Sequence, residues 1–380
     1  MNKLIFLFVL LFWSVSSQAE SHLSDYYSYQ EFMQLHPKQK EIADRFSDHV
    51  KETVHSPFAS YKAPLKVAII YPGIQASDYW RRSVSSFEAR LREHRLPYEI
   101  RPYFTKPARE IRLQEKQINE ALAHDPDYLV FTLDAVRHEM TLKNLIKKGR
   151  PKIIIQNATR PVKSWGDHQP FFYVGFDHEI GSEMLAEKFM ALFPRKTEYA
   201  MFYGSHGFVS TARGDTFENI VKASHGSTVA MSYYLDFDRE RARKAALHLI
   251  SRKKLPRFIF ACSTDIALGV IDAAKESNML DKVSVNGWGG GGDELAALAE
   301  GSLKFTVMRM NDDNGVAMAD AIAFDQNGQG NLVPQVFSGE MVLLDQNMSQ
   351  AEINALQQRA FRYSDTWRSS VESILTSNGY

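Results

Sequence analysis

"KVAIIYPGIQASDYWRRSVSSFEARLREHRL", Lys66–Leu96, sets the fold class. Val67–Tyr71 is apolar throughout, the pattern of a strand buried on both faces. From Asp78 the period changes, with Trp80, Val84, Phe87 and Leu91 recurring at three- and four-residue spacing, the stripe of an amphipathic helix. A buried strand followed at once by such a helix is half of a βαβ unit, and its repetition makes a parallel sheet covered by helices.

The unit does repeat. "DYLVFTLD" (Asp127–Asp134) and "KIIIQN" (Lys152–Asn157) are further strands, with helical "EIRLQEKQINEALAH" before them and "TLKNLIKKG" between them. After "HQPFFYVGFD" the alternation starts again. Its strands are "YAMFYG" (Tyr199–Gly204), "STVAMSYYLDF", "RFIFACSTD" (Arg257–Asp265), "VSVNGWG" (Val283–Gly289) and "KFTVMRM" (Lys304–Met310), and its helices begin near Arg213, Asp238, Thr264 and Asp293. Two α/β sets with no low-complexity linker predict two lobes facing a cleft. Glu20–Ala63 contains no strand, and "QEFMQLHPKQKEIADRFSDHVKETV" within it reads as helix, an appendage on one lobe.

At 380 residues, 44% hydrophobic and 24% charged, the chain has the balance of a globular protein with room for two domains. Lys+Arg and Asp+Glu both number 45, so net charge draws it neither to nucleic acid nor to an anionic membrane. "MNKLIFLFVLLFWSVSSQAE" combines Lys3, an apolar run Leu4–Trp13, and Ser17 and Ala19 at signal-peptidase spacing. It reads as a secretory signal, residues 1–19, cleaved after Ala19; the apolar run is short for a membrane anchor. Cys262 is the only cysteine, so no intrachain disulfide forms, and its place at the end of a strand suits a small buried hydrophobe. There is no HExxH pattern, no thiolate zinc set, no GxSxG elbow and no paired carboxylates, and "RGD" at Arg213–Asp215 is too short a match to imply adhesion.

In open parallel sheets, ligands bind beyond the carboxyl ends of the strands. Those ends carry Gln75, Ser77 and Trp80; Asn157; Arg213; Ser263, Thr264 and Asp265; Trp288; and Arg309. Amides, hydroxyls, two indoles and two guanidinium groups suit a small polyhydroxylated ligand with negative charge. Each also admits a local role. Trp80 lies on a helical core stripe, Arg213 is two residues from Asp215, Arg309 precedes Asp312 and Asp313, Asn157 and Gln75 suit turns, and Asp265 suits a helix cap. In "NGWGGGGDE", Asn286–Glu294, no Gly-Lys-Ser/Thr follows the glycines, and Asp293 and Glu294 would oppose a phosphate at a helix N-terminus. The run therefore reads as a sharp turn that holds Trp288 over a neutral or ring-like ligand face.

Taken together, "YPGIQASDYW", "DYLVFTLD", "YVGFDH", "RGDTF", "ACSTDIALG", "NGWGGG", "TVMRMNDDNGVAMA" and "AFRYSD" span nearly the whole mature chain. In these stretches it resembles the LuxP-type family of periplasmic autoinducer-2-binding proteins of marine vibrios, a specialised branch of the ribose-binding-protein superfamily. The resemblance implies a type I periplasmic binding protein fold, with two doubly wound parallel-sheet lobes joined by a three-segment hinge. The implied division is an N-terminal helical extension at 20–63, an N-terminal lobe of 64–161 and 311–335, and a C-terminal lobe of 162–310 and 336–380, crossing near Pro161, Met310 and Val336. It implies a non-catalytic receptor whose ligand is the furanosyl borate diester formed from 4,5-dihydroxy-2,3-pentanedione and borate, with no resident cofactor. Its partner would be the periplasmic domain of a LuxQ-type membrane sensor histidine kinase. Residue by residue, the implied ligand contacts are Gln75, Ser77, Trp80, Asn157, Arg213 at a helix start, Ser263, Thr264, Trp288 and Arg309, with Arg213 and Arg309 flanking the anionic borate. The glycine run departs from the family at Gly292 and Asp293, and the tail from Thr366 extends past the usual end. The rival reading is a periplasmic sugar-binding component of a transport system.

Overall fold

The structure is a computed structural model that describes residues 22–54, 63–133 and 136–365; the expected signal segment and the tail from Thr366 lie outside them. The chain opens with helices α1 (Tyr29–Leu35) and α2 (Pro37–Lys51). The first lobe follows as β1 (Leu65–Tyr71), α3 (Tyr79–Glu93), β2 (Tyr98–Phe104), α4 (Ile111–Ala123), β3 (Tyr128–Phe131), α5 (Val136–Lys148), β4 (Lys152–Gln156) and β5 (Phe172–Gly175). The second lobe runs α6 (His178–Leu192), β6 (Glu198–Tyr203), α7 (Phe208–His225), β7 (Thr228–Tyr234), α8 (Arg239–Ser251), β8 (Phe258–Ala261), α9 (Thr264–Glu276), β9 (Ser284–Gly289), α10 (Gly292–Ala299) and β10 (Phe305–Arg309). The chain then returns to the first lobe for α11 (Asp312–Gln326) and β11 (Val336–Ser338), and goes back for β12 (Met341–Asp345) and α12 (Gln350–Ala360).

Two six-stranded sheets result. The first has the order β11-β5-β4-β3-β1-β2 and is parallel throughout; the second, β12-β10-β9-β8-β6-β7, is parallel except for β12 against β10. The predicted interior strands form because helices cover both faces, so Ile69, Ile70, Val130, Ile154, Phe202 and Phe260 are all fully buried. The edge strands behave differently. In β2 and β7, more exposed side chains alternate with more buried ones; β2, in which Glu99 and Arg101 interrupt the apolar residues, passes unnoticed in the sequence.

Three boundaries differ from expectation. "FFYVG" is not a connector: Ile154 pairs with Phe172 and Gln156 with Val174, so β5 extends the first sheet and the first crossing comes after Gly175 rather than near Pro161. Val336–Ser338 pairs with Tyr173–Gly175, which moves the third crossing past Ser338. The segment after α12 does not stay with the second lobe. The backbone N–H groups of Tyr363 and Ser364 donate to Asp312 Oδ2 (2.6 and 2.8 Å), Arg82 Nη1 donates to the carbonyl of Ser364 (2.9 Å), and Phe361 lies under the Arg82 guanidinium. Arg213 also sits in the second turn of α7, not at its start, because the helix begins at Phe208 behind the extended Gly207.

The helical extension packs on the first lobe, with Phe46 of α2 edge-on to Phe172 and Phe337. Ahead of α1, however, Tyr26 reaches both lobes. It pairs with Val162, donates its hydroxyl to Glu139 Oε1 (2.7 Å) and packs 4.7 Å from the ring of Phe208 in α7.

Helices α3 and α11 are joined by a buried cluster in which Arg90 grips Asp320 through two bonds (2.7 and 3.1 Å) and His94 Nε2 lies 2.6 Å from the same carboxylate. These contacts hold the Asp320 carboxyl below its ordinary pKa although burial pushes the other way. Asp320→Ala leaves the buried Arg90 charge with only the half-buried Glu93 (3.0 Å) as counter-charge, and urea unfolding should show a loss of about 3 kcal/mol. Asp44→Ala, which breaks only a surface pair with Lys40, should cost under about 1 kcal/mol.

Candidate ligand-binding cleft

The carboxyl ends of the two sheets face each other, and the nine residues implied as ligand contacts line one cleft between them, with about 540 Å³ of empty space, part of it open to solvent; Asp265, the tenth strand-end residue, does not line it. From the first lobe come Gln75 and Ser77 in the loop after β1, Trp80 in the first turn of α3, and Asn157 just past β4. From the second come Arg213, Ser263, Thr264, Trp288 and Arg309. Trp80 serves both of its readings: it is buried against Tyr71 (4.6 Å) and Tyr79 (4.7 Å) and still walls the cleft.

The local alternatives for the arginines are not realised. Asp215 takes the hydroxyl of Tyr203 (3.0 Å), Asp313 pairs with Arg362, and Asp312 accepts the tail amides. Among the described residues no carboxylate lies within ion-pair distance of Arg213 or Arg309, although both are buried. Arg213 Nη1 donates to the carbonyl of Cys262 (2.9 Å) and its guanidinium lies 4.0 Å from the Trp288 ring centroid. The Arg309 guanidinium lies 4.0 Å from the ring of Tyr79, across the cleft, and its Nε has no partner. Burial lowers both pKa values, that of Arg213 to about 10 with the charge of Arg309 adding to the effect. Both stay cationic at neutral pH, held by π faces and carbonyl dipoles rather than by an anion.

Two more buried polar atoms in the cleft walls lack partners, Asn157 Oδ1 and Trp288 Nε1. Asn157 adopts φ of 66°, a left-handed conformation that asparagine tolerates. Thr264 Oγ1 donates to the Trp288 carbonyl (3.2 Å), and Ser263, not Asp265, caps α9 by accepting from Ile266 N. The cleft thus offers two cations, an acceptor, an indole donor and aromatic walls. Such a set holds a compact anion that also carries hydroxyl or ring oxygens.

The glycine run makes the predicted sharp turn, with Gly290 left-handed (φ 66°) between the end of β9 and the start of α10. The buried Glu294 carboxylate accepts from Trp288 N (2.9 Å), Gly290 N (2.8 Å) and the Thr306 hydroxyl, locking the loop that carries Trp288. Gly289, at φ of 143°, leaves room for Arg309: a Cβ there would lie 2.6 Å from Nη2.

Sequence reasoning missed several contributors. Tyr79 adds a wall and ties its hydroxyl to Gln156 and Asn314; it was hidden beside the more conspicuous Trp80. Phe237 adds another wall from a bend in which it and Asp236 are both left-handed, a conformation that no residue type there signals. Pro107 and Ala108 line the rim after the undetected β2. His178, at the first crossing, accepts from Arg213 Nε on Nδ1 (3.4 Å), which leaves Nε2 to donate to the Asn157 carbonyl (3.2 Å).

His178 is surrounded by Arg213, Arg309, Arg160, the Asn157 carbonyl and the rings of Trp288 and Phe208. Burial and then the arginines push its pKa well below the ordinary 6.5. The sign follows: above pH 6.5 the ring is neutral in both folded and unfolded chains, whereas below it only the unfolded chain takes up the proton. Stability is therefore lost as pH falls. His178→Asn keeps an acceptor for Arg213, and its urea-unfolding free energy should fall less steeply below pH 6.5, by about 1.4 kcal/mol per pH unit, than that of the wild type.

A family model described as a periplasmic binding protein domain matches residues 67–330. Among solved structures, an ABC transporter solute binding protein from Bacillus halodurans C-125 with bound myo-inositol is similar at a TM-score of 0.65 and 16% identity, covering 79% of this chain and 100% of that one. A glucose-galactose binding protein from Geobacillus stearothermophilus is similar at 0.66 and 16%, covering 76% and 100%. A galactofuranose binding protein is similar at 0.66 and 15%, covering 78% and 100%. At these identities the likeness is one of fold: two α/β lobes of the type I arrangement.

Proposed function

The chain belongs to the periplasmic binding protein domain family, and from that premise we propose that it is a periplasmic receptor for autoinducer-2 in its furanosyl borate diester form. The observation that carries this reading is the pair of buried guanidinium groups without a carboxylate, Arg213 and Arg309. A neutral sugar gives two such cations nothing to neutralise, while a tetrahedral borate bearing one negative charge accepts from both. Trp80 and Trp288 then pack on the furanose faces, and Gln75, Ser77, Asn157, Ser263 and Thr264 take its hydroxyl and ring oxygens. The residue-by-residue resemblance supports the same assignment. It also supports a LuxQ-type sensor kinase as the partner, which would read the arrangement of the lobes that the ligand favours. Quorum sensing is the process this reading assigns.

A second reading, the sugar-binding component of a transport system, is favoured by the company the fold keeps: the similar structures include an ABC transporter solute binding protein with bound myo-inositol, a glucose-galactose binding protein and a galactofuranose binding protein. The cleft's indoles and amides serve a neutral sugar equally well.

Calorimetric titration of the ligand-free protein with dihydroxypentanedione, with and without borate and with ribose and myo-inositol as controls, separates the two. The receptor reading expects binding only in the presence of borate. It also expects Arg309→Ala to weaken that binding by about 2 kcal/mol or more, at least about thirtyfold. Borate-independent binding of a neutral sugar with full affinity in Arg309→Ala assigns the cleft to transport.

A further inference from the structure

We infer that Asp265 and Asp78 form a reciprocal latch between the lobes, and that Asp265 is a positioning residue for the loop carrying Gln75 and Ser77. The Asp265 carboxylate, at the start of α9 in the second lobe, accepts the backbone N–H groups of Ala76 (2.8 Å) and Ser77 (3.1 Å) in the first. In the other direction, Asp78 Oδ2 of the first lobe accepts Gly292 N (3.2 Å) at the start of α10 in the second. Each lobe thus gives one buried carboxylate to the main chain of the other, Asp265 to two amides and Asp78 to one, with Arg82 Nε of its own lobe holding Asp78 Oδ2 in place (2.7 Å).

The loop is prepared for this without help from the second lobe. Arg81, one turn into α3, donates Nη1 to the carbonyls of Gly73 (3.0 Å) and Gln75 (3.1 Å) and Nη2 to that of Ser77 (3.2 Å). With its carbonyls held in its own lobe, the loop presents its amides outward as a small anion nest. When the lobes part, water serves those amides; when they close, only Asp265 does. Removing the acceptor therefore penalises the closed form alone, and ligand affinity changes through the closure equilibrium rather than through a ligand contact.

The glycine run belongs to this device. Gly291 has an ordinary φ of −73°, so an alanine there meets no backbone strain, yet its Cβ would lie 2.4 Å from Asp78 Oδ1. Gly291→Ala thus pushes the Asp78 carboxylate away from Gly292 N and opens that half of the latch.

The test uses the full mature chain with cysteines introduced at Lys116 on α4 and Lys244 on α8, both well exposed, for a fluorescent donor–acceptor pair. Cys262 is buried with its thiol pKa raised, so it stays unlabelled. Asp265→Asn and Gly291→Ala should each lengthen the mean inter-label distance, with ligand absent or present. Each should also weaken every ligand that binds, borate adduct or neutral sugar, by the same factor of at least about ten. Arg309→Ala, by contrast, should discriminate between those ligands. Distances unchanged from wild type in both latch variants overturn the latch, as does a loss of affinity for one ligand only. If wild type binds neither dihydroxypentanedione with borate nor the sugars, the proposed ligand fails while the ligand-free distances still decide the latch.

Discussion

Two buried guanidinium groups resting on aromatic faces organise this cleft. A carboxylate beside either would neutralise it locally, and the nearby acids are all engaged elsewhere: Glu294 in the Trp288 loop, Asp265 and Asp78 across the seam, Asp215 on Tyr203, Asp312 and Asp313 on the C-terminal segment. His178 stays neutral among the arginines and adds no third charge. Because Arg309 comes from the second lobe and Tyr79 from the first, one of the two cation–π contacts forms only when the lobes approach. Charge placement and lobe geometry are therefore one problem, and it is solved by giving every nearby carboxylate another partner: backbone amides for Glu294, Asp265 and Asp312, a hydroxyl for Asp215, and the guanidinium groups of Arg82 and Arg362 for Asp78 and Asp313.

The glycines of Asn286–Glu294 raised the choice between a phosphate, a ligand and the fold itself. Their surroundings favour the last. Glu294 occupies the amides that a phosphate would need, Gly289 yields space to a side chain of its own lobe, and Gly291 to one of the opposite lobe. The ligand is served indirectly, through the fixed position of Trp288.

What was legible in the sequence follows from burial. Strands covered on both faces are largely apolar words, and β1, β3, β4, β6 and β8 stand out for that reason, with β9 and β10 legible despite Asn286 and Thr306 and the edge strand β7 despite its alternating burial. β2 interleaves Glu99 and Arg101 with apolar residues, β5 and β11 pair with each other from far apart in the chain, and β12 joins its sheet antiparallel, so these four give no local signal and the lobe boundaries move with them. The nine cleft residues gather in one place because the carboxyl-end rule is topological and needs no side-chain contact to apply. Phe237 and the role of Asp265 escaped because each depends on a backbone conformation or a partner far along the chain, and a carboxylate two residues into a helix looks locally like a cap.

The return of the chain end to Arg82 and Asp312 bears on the order in which the molecule is made. The second lobe's parallel strands, β6 to β10, are contiguous and can be assembled as soon as Arg309 has emerged. The first lobe needs α11 and β11 and is clasped only when residues near Ser364 arrive, so it is completed after the parallel part of the second. The earlier segment of the polypeptide thus waits, incompletely covered, for partners made long after it, while the later segment already has its own sheet.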